Sequence, residues 1–173
     1  MSNGGMMAYR MAAEAAGRIA AIAPVSGGMV VTSFRPSRPV AVMHFHSVDD
    51  PRAPYAGGQG PPFPGTNHRE THPGIEAVIA TWAAFDGCPA TARAGRTIVG
   101  RGTDAGETAT RISYAPCRAG TEVVLWKLTG SGHVWPGGKQ DVNEVLLGRP
   151  TSIVDADRLM WRFFQRHPLP RPV

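Results

Sequence analysis

Residues 39–46 constrain the fold more than any other part of this chain. Val40, Ala41, Val42, Met43 and Phe45 make the stretch almost continuously apolar, and it ends abruptly in the polar Ser47-Val48-Asp49-Asp50-Pro51. A run so short, with apolar residues on both faces, suits a strand buried within a sheet. Residues 19–25 form a second such run, closed by Pro24 and Ser26-Gly27-Gly28. Ahead of it, residues 3–16 are rich in Met and Ala and carry no Pro, which predicts a helix. Helix and strand alternate in this way in parallel sheets covered by helices, so the expected fold class is α/β with a mostly parallel sheet flanked by helices.

The remainder of the chain extends this pattern. Residues 52–73 are dense in Gly and Pro and read as a long loop or insertion, a length that usually carries a function. Ile75, Val78, Ile79, Trp82 and Phe85 recur at helical spacing, predicting a helix within residues 72–85 that stops at Gly87. Residues 97–99 and 110–114 are expected to pair as a hairpin, and residues 122–128 to form a further strand. A last helix is expected over residues 152–166, with Thr151 or Ser152 as its N-cap and Asp155 in its first turn. The 173 residues, 42% of them hydrophobic and 18% charged, are enough for one core.

Charge and composition exclude several classes of partner. Lys plus Arg number 18 against 13 Asp plus Glu, but the basic residues are scattered without a dense block, which does not suit nucleic-acid binding. The longest uncharged stretch, residues 19–34, contains Pro24, Gly27 and Gly28 and is shorter than the roughly 20 apolar residues of a membrane-spanning helix. The N-terminus does not read as a signal peptide, having two early glycines and Glu14 where an apolar region should run. Cys88 and Cys117 fit no metal-ligand or CxxC spacing and are either two free thiols or one disulfide.

Three residues fall where strands end and loops begin, the usual place for reactive groups in α/β sheets. Ser2 precedes a helix, Asp50 follows a strand, and His133 follows another strand within Gly130-Ser131-Gly132-His133-Val134-Trp135-Pro136-Gly137-Gly138. Their order, Ser then Asp then His, is that of the α/β-hydrolase triad. Ser2-Asn3-Gly4 supplies most of a nucleophile elbow, G-x-S-x-G, without its first Gly; a plain N-cap is the other reading. Asp49 competes with Asp50, and spacing does not choose between them. His44 and His46 could ligate a metal from one strand but have no convincingly spaced third ligand, so structural roles are favoured. His68 and His72 lie in or beside the long loop, and His167 ends the last helix, where a cation suits the dipole.

These residues resemble the poly(3-hydroxybutyrate) depolymerase and feruloyl esterase group of α/β-hydrolases. The likeness lies in Ser2-Asn3-Gly4-Gly5-Met6-Met7-Ala8-Tyr9, in His46-Ser47-Val48-Asp49-Asp50-Pro51-Arg52-Ala53-Pro54-Tyr55 and in Gly130-Ser131-Gly132-His133-Val134-Trp135-Pro136-Gly137. The resemblance implies a serine carboxylic ester hydrolase in which Ser2 is the nucleophile, Asp50 rather than Asp49 the acid and His133 the base. It gives the Asn3 backbone N–H to the oxyanion hole and pairs Cys88 with Cys117. No cofactor or metal is implied. Trp135 is expected either to wall the ester pocket or simply to pack its turn. Residues 1–173 then correspond to the C-terminal part of one hydrolase domain, beginning at the elbow, within a full-length protein that is secreted or extracytoplasmic. Self-association through the open edge of the strand at 19–25 is a further expectation. Two departures bear on substrate preference: Ser47 replaces a Gly, and the loop at 52–73 is longer and richer in Pro. The competing reading is a catalytically silent fragment or a non-enzymatic binding protein that keeps the motifs by descent.

Overall fold

The computed structural model describes residues 1–138 and 143–169. Its centre is β2 (Ala41–Ser47), buried at every position. On one side β2 pairs in parallel with β1 (Ala21–Ile22), and on the other with β8 (Val123–Thr129), from Val42 opposite Val123 to Ser47 opposite Leu128. Beyond β8 the sheet turns antiparallel through β7 (Thr108–Tyr114), against which lie β5 (Arg93–Ala94) and β6 (Ile98–Val99). The sheet is therefore mixed rather than mostly parallel. The cause is connection length: only residues 115–122 join β7 to β8, too few for the crossover a parallel pair needs, whereas the longer path from β2 to β8 includes helix α2 (Ile75–Phe85).

Strand alternation sorts the side chains of β2 onto two faces. Val42 faces a core with Tyr9 and Ala12 of helix α1 (Asn3–Glu14), Trp82 and Ile79 of α2, and Leu125 of β8. Ala41, Met43 and Phe45 face the opposite core, with Trp126, Leu128 and the buried side of helix α4 (Ala156–Arg166), including Met160 and Phe163. His44 and His46 have the parity of Val42, and thus turn toward α1. A fully apolar strand would have filled that space; here two imidazoles do.

Several boundaries differ from expectation. The strand at 19–25 shrinks to Ala21–Ile22, with one more bridge where Val25 meets Phe45. Helix α4 starts later than 152, capped by Asp155, whose carboxylate accepts the Arg158 N–H at 2.9 Å. Neither Thr151 nor Ser152 caps it, because both hydroxyls bond elsewhere, Thr151 to Glu107 and Ser152 to Asp104. A hairpin forms, but closer to its turn than expected: Ile98 faces Ala109 and Val99 faces Thr108, while Ile112 and Ser113 pair with β5. Within the loop at 52–73, β3 (Gly58–Gln59) and β4 (Thr71–His72) make a small antiparallel ribbon. Cys88 and Cys117 form a disulfide that ties the end of α2 to the chain leaving β7. A short helix, α3 (Glu144–Leu147), precedes α4. Among the described residues, no helix is long and apolar enough to cross a membrane.

Glu122 locks the end of α4 to the sheet. Its carboxylate takes Arg166 at 2.8 Å, His167 at 3.1 Å and Arg111 at 2.9 Å. The hydrogen bond from His167, with the two guanidinium groups, outweighs burial and brings its pKa down to about 2. A carboxylate depressed on folding stabilises above its unfolded pKa, near 4.5, and loses that contribution as pH falls toward 2. Glu122→Gln should therefore lower stability by about 2 kcal/mol at neutral pH, a figure reduced for the half-exposed Arg166. In thermal melts the wild-type and variant curves should converge between pH 4.5 and 2; a gap that stays constant through that window would refute the account.

Candidate active site

Ser2 has backbone angles that a serine rarely adopts, φ 55° and ψ −126°. Its side chain caps nothing, which removes the N-cap reading. The main chain is held instead, the Ser2 N–H donating to Val25 O at 2.9 Å and the Ser2 carbonyl accepting from Gly5 and Met6. Gly27 lies so close that a Cβ there would stand 2.2 Å from the Ser2 carbonyl oxygen, and a Cβ on Gly5 would stand 3.1 Å from Val25 O. The small residues around Ser2 thus serve backbone contact between the turn and the chain leaving β1. A strained turn whose hydroxyl is left free of capping duty is the local geometry that a nucleophile elbow requires.

Asp50 and His133 meet at the ends of β2 and β8. His133 Nδ1 lies 2.8 Å from Asp50 Oδ2 and 3.1 Å from Oδ1, with both side chains buried. Asp50 Oδ1 also accepts the Arg52 and Ala53 N–H groups, each at 2.8 Å. Burial pushes the Asp50 pKa up, but the hydrogen bond and charge of His133, with the Ala53 N–H and His46, bring it below the usual carboxylate value. Of the two neighbouring carboxylates it is Asp50 that meets His133; Asp49 points away and accepts the Gly130 N–H at 2.7 Å. It pins the His133 loop, as does Ser47, whose hydroxyl donates to Ser131 O at 2.5 Å. The loop is held from its other side by Gly132 N–H to Arg149 O and His133 N–H to Leu147 O.

Ser2 and His133 line one cavity of about 400 Å³, together with Asn3, Arg52, Phe63 and His72. The Asn3 N–H, in the first turn of α1, has no intrahelical acceptor and lies at the positive end of the helix. Much of the remaining wall comes from residues 52–73, which fold over the cavity with Phe63 stacked on His68 at 5.6 Å between ring centres. Sequence reasoning assigned that segment no residues; its unusual length was the available signal. His72 is buried, with an Nδ1 that has no hydrogen-bond partner among the described residues. Burial lowers its pKa, opposed by the charges of Glu70 and Asp50.

Trp135 is not among the residues lining this cavity. Its indole N–H donates to Asp157 of α4 at 2.9 Å, and its ring packs on the α4 core. His44 and His46 bond to one another at 2.9 Å, and are bracketed by the Tyr9 hydroxyl and Ala53 O, each at 2.9 Å. Among the described residues, no cluster of three His, Cys, Asp or Glu side chains is placed to hold a metal ion.

A helix-flanked mixed sheet here carries a strained serine and a buried Asp–His pair, with the serine and the histidine lining one cavity. The chain is 30% identical over 160 residues to a Nocardia uniformis subsp. tsuyamanensis protein named "Putative esterase NocK", a match covering 85% of this chain and 44% of that protein. It is 29% identical over 132 residues, 76% of its length, to the bifunctional acetylxylan esterase/xylanase XynS20E of Neocallimastix patriciarum, of which the match covers 17%. The chain thus spans less than half the length of either relative. No family model matches the sequence. The relationship is to proteins named as esterases.

Proposed function

We propose that this chain carries the catalytic residues of a serine carboxylic ester hydrolase of the polyhydroxybutyrate depolymerase and feruloyl esterase type. The observation that carries the reading is the uncapped Ser2, at φ 55°, in one cavity with a His133 whose Nδ1 is engaged by Asp50. With Nδ1–H donated to Asp50, His133 Nε2 is left as the acceptor and takes the Ser2 hydroxyl proton as Oγ attacks the ester carbonyl. The tetrahedral oxyanion is met by the Asn3 N–H. His133 then returns the proton to the departing alcohol, and water attacks the acyl-enzyme by the same route, releasing the acid and freeing Ser2. The substrate is an ester, and no cofactor takes part. The disulfide agrees with an oxidising, extracytoplasmic setting.

The test is covalent. A fluorophosphonate probe incubated with the 173-residue chain should leave one adduct, mapped by mass spectrometry to Ser2, and a p-nitrophenyl short-chain ester should show a burst of acyl-enzyme. An adduct on another residue, or equal labelling of Ser2→Ala, would remove the reading in favour of a non-catalytic binding protein.

A further inference from the structure

Behind Asp50, away from the cavity, runs a line of buried polar side chains that the proposed chemistry does not use. The Tyr9 hydroxyl of α1 lies 2.9 Å from His44 Nδ1, and His44 Nε2 lies 2.9 Å from His46 Nδ1. His46 Nε2 lies 2.9 Å from Ala53 O and 3.4 Å from Asp50 Oδ2, the oxygen that meets His133. Tyr9 and His44 are fully buried and His46 is 1% exposed, in a core that apolar side chains would fill at no polar cost. Stacking adds contact along the line, Tyr9 with His44 and His44 with His46.

The proton positions follow from the far end. His46 Nε2 faces a carbonyl oxygen and a carboxylate oxygen, both acceptors, and must carry a hydrogen. Burial lowers the pKa of His46 and holds His44 well below its ordinary value, His46 adding to the effect, so both rings are neutral. His46 Nδ1 is therefore an acceptor, and His44 Nε2–H donates to it. His44 Nδ1 accepts in turn from Tyr9, whose phenol burial keeps protonated. Reversing the chain would set the bare His46 Nε2 lone pair against Ala53 O and Asp50.

We propose that Tyr9, His44 and His46 are positioning residues: a neutral, one-way hydrogen-bond chain whose positive end is turned on Asp50 Oδ2 and which thereby sets how strongly Asp50 holds the His133 Nδ1–H. Aligned donors polarise one another, so the final N–H carries more positive charge than an isolated imidazole would. It drains charge from Asp50 Oδ2 without introducing a cation. It also fastens Ala53, whose N–H holds Asp50 Oδ1. The titratable groups facing the Asp50–His133 pair are His46 from β2 and His72 from β4, with Glu70 acting on His72. Withdrawing the His46 donor leaves more charge on Asp50 Oδ2 and strengthens its hold on the His133 Nδ1–H.

The inference rests on the reading of Asp50 and His133 as a working acid–base pair, but its first test does not require turnover. In the full chain labelled with 15N-histidine, His44 and His46 should both show a protonated Nε2 and a bare Nδ1 at pH 7. An Nδ1–H form of either ring would overturn the chain. His46→Asn keeps an acceptor for His44 but withdraws the donor facing Asp50, and should move the His133 Nδ1–H proton resonance downfield, the mark of a stronger hydrogen bond to Asp50. His46→Gln, with a longer amide, should recover part of that shift. Tyr9→Phe, the mildest change, should move the His44 Nδ1 resonance and shift the His133 Nδ1–H downfield by less; His72 is followed in the same spectra. A His133 Nδ1–H resonance unmoved or shifted upfield by His46→Asn, or, where that variant does not fold, His133 and His44 signals unmoved by Tyr9→Phe, would overturn the proposal. Wild-type chain with these spectra and no turnover would count against the esterase reading and leave the hydrogen-bond chain standing.

Discussion

Asp50→Asn should lower kcat for ester hydrolysis by about ten-thousandfold while leaving the fold intact. The geometry explains why so small a change has so large an effect. Oδ1 of Asp50 is fixed as an acceptor by the Arg52 and Ala53 N–H groups, both at 2.8 Å. An asparagine must keep its carbonyl oxygen there, which sets its NH₂ at the Oδ2 position, 2.8 Å from His133 Nδ1 and 3.4 Å from the His46 Nε2–H. His133 can meet an amide donor only with a bare Nδ1, and its proton then moves to Nε2, the atom that should accept from Ser2. The base is present but in the wrong tautomer. Asp49→Asn is the matched control, since Asp49 only anchors the Gly130 N–H, and an asparagine oxygen can still accept it. It should retain activity within about tenfold, the effect of weakening one hydrogen bond. Steady-state rates on a p-nitrophenyl ester, with circular dichroism as the check on folding, decide the matter. Comparable losses in the two variants would mean that the assignment of the acid is wrong.

Much of this arrangement was legible in the residues, and what was not has identifiable causes. The apolar runs and helical spacing marked β2, α2 and β8 because burial on both faces, or on one stripe, leaves a direct trace in the pattern. The antiparallel half of the sheet left less trace, since β7 alternates weakly and its direction is set by the length of its connection to β8. The start of α4 depended on which of several capping residues was free to cap, and partners distant in sequence, Glu107 and Asp104, had already engaged Thr151 and Ser152. Trp135 shows the limit of adjacency as a guide. It stands two residues from His133, yet its indole belongs to α4. His44 and His46 carried a better clue than their spacing as ligands suggested. They share the parity of Val42, so a strand between two helical layers had to turn them toward α1, where Tyr9 waits.

Ser47 takes on meaning from the same comparison. Where the resembled motif has a glycine after the histidine, this chain has a hydroxyl that reaches Ser131 O, linking the strand that bears Asp50 to the loop that bears His133. Together with the Asp49 link to Gly130, it fixes the spacing of two segments 83 residues apart whose side chains must meet within a hydrogen bond. The acid and the histidine are thus held by main-chain anchors on either side. The serine is held differently, by contact between backbones.

Gly27→Ala should therefore damage both stability and activity. The added Cβ would lie 2.2 Å from the Ser2 carbonyl oxygen and 3.1 Å from the Met6 nitrogen, both main-chain atoms. The Ser2 carbonyl cannot retreat, because it accepts the Gly5 and Met6 N–H groups that open α1. The other wall cannot retreat either, since Ser26 N–H is bonded to Phe45 O and Phe45 N–H to Pro24 O, fastening that segment to buried β2. Relief requires α1 to slide outward, which breaks the Ser2 N–H bond to Val25 O and carries the hydroxyl away from His133. Overpacking of a rigid contact destabilises by about 3 kcal/mol, and a displacement near 1 Å at a reacting atom lowers the rate by about a hundredfold. Gly17→Ala supplies the contrast, with nothing within 4 Å of its added Cβ, and should melt within a few degrees of the wild type at unchanged rate. Thermal melts and ester hydrolysis measured on both variants test the point together. A Gly27→Ala protein as stable and as active as Gly17→Ala would mean that the turn at Ser2 is looser than this contact demands, and that its strained backbone does not set the position of the nucleophile.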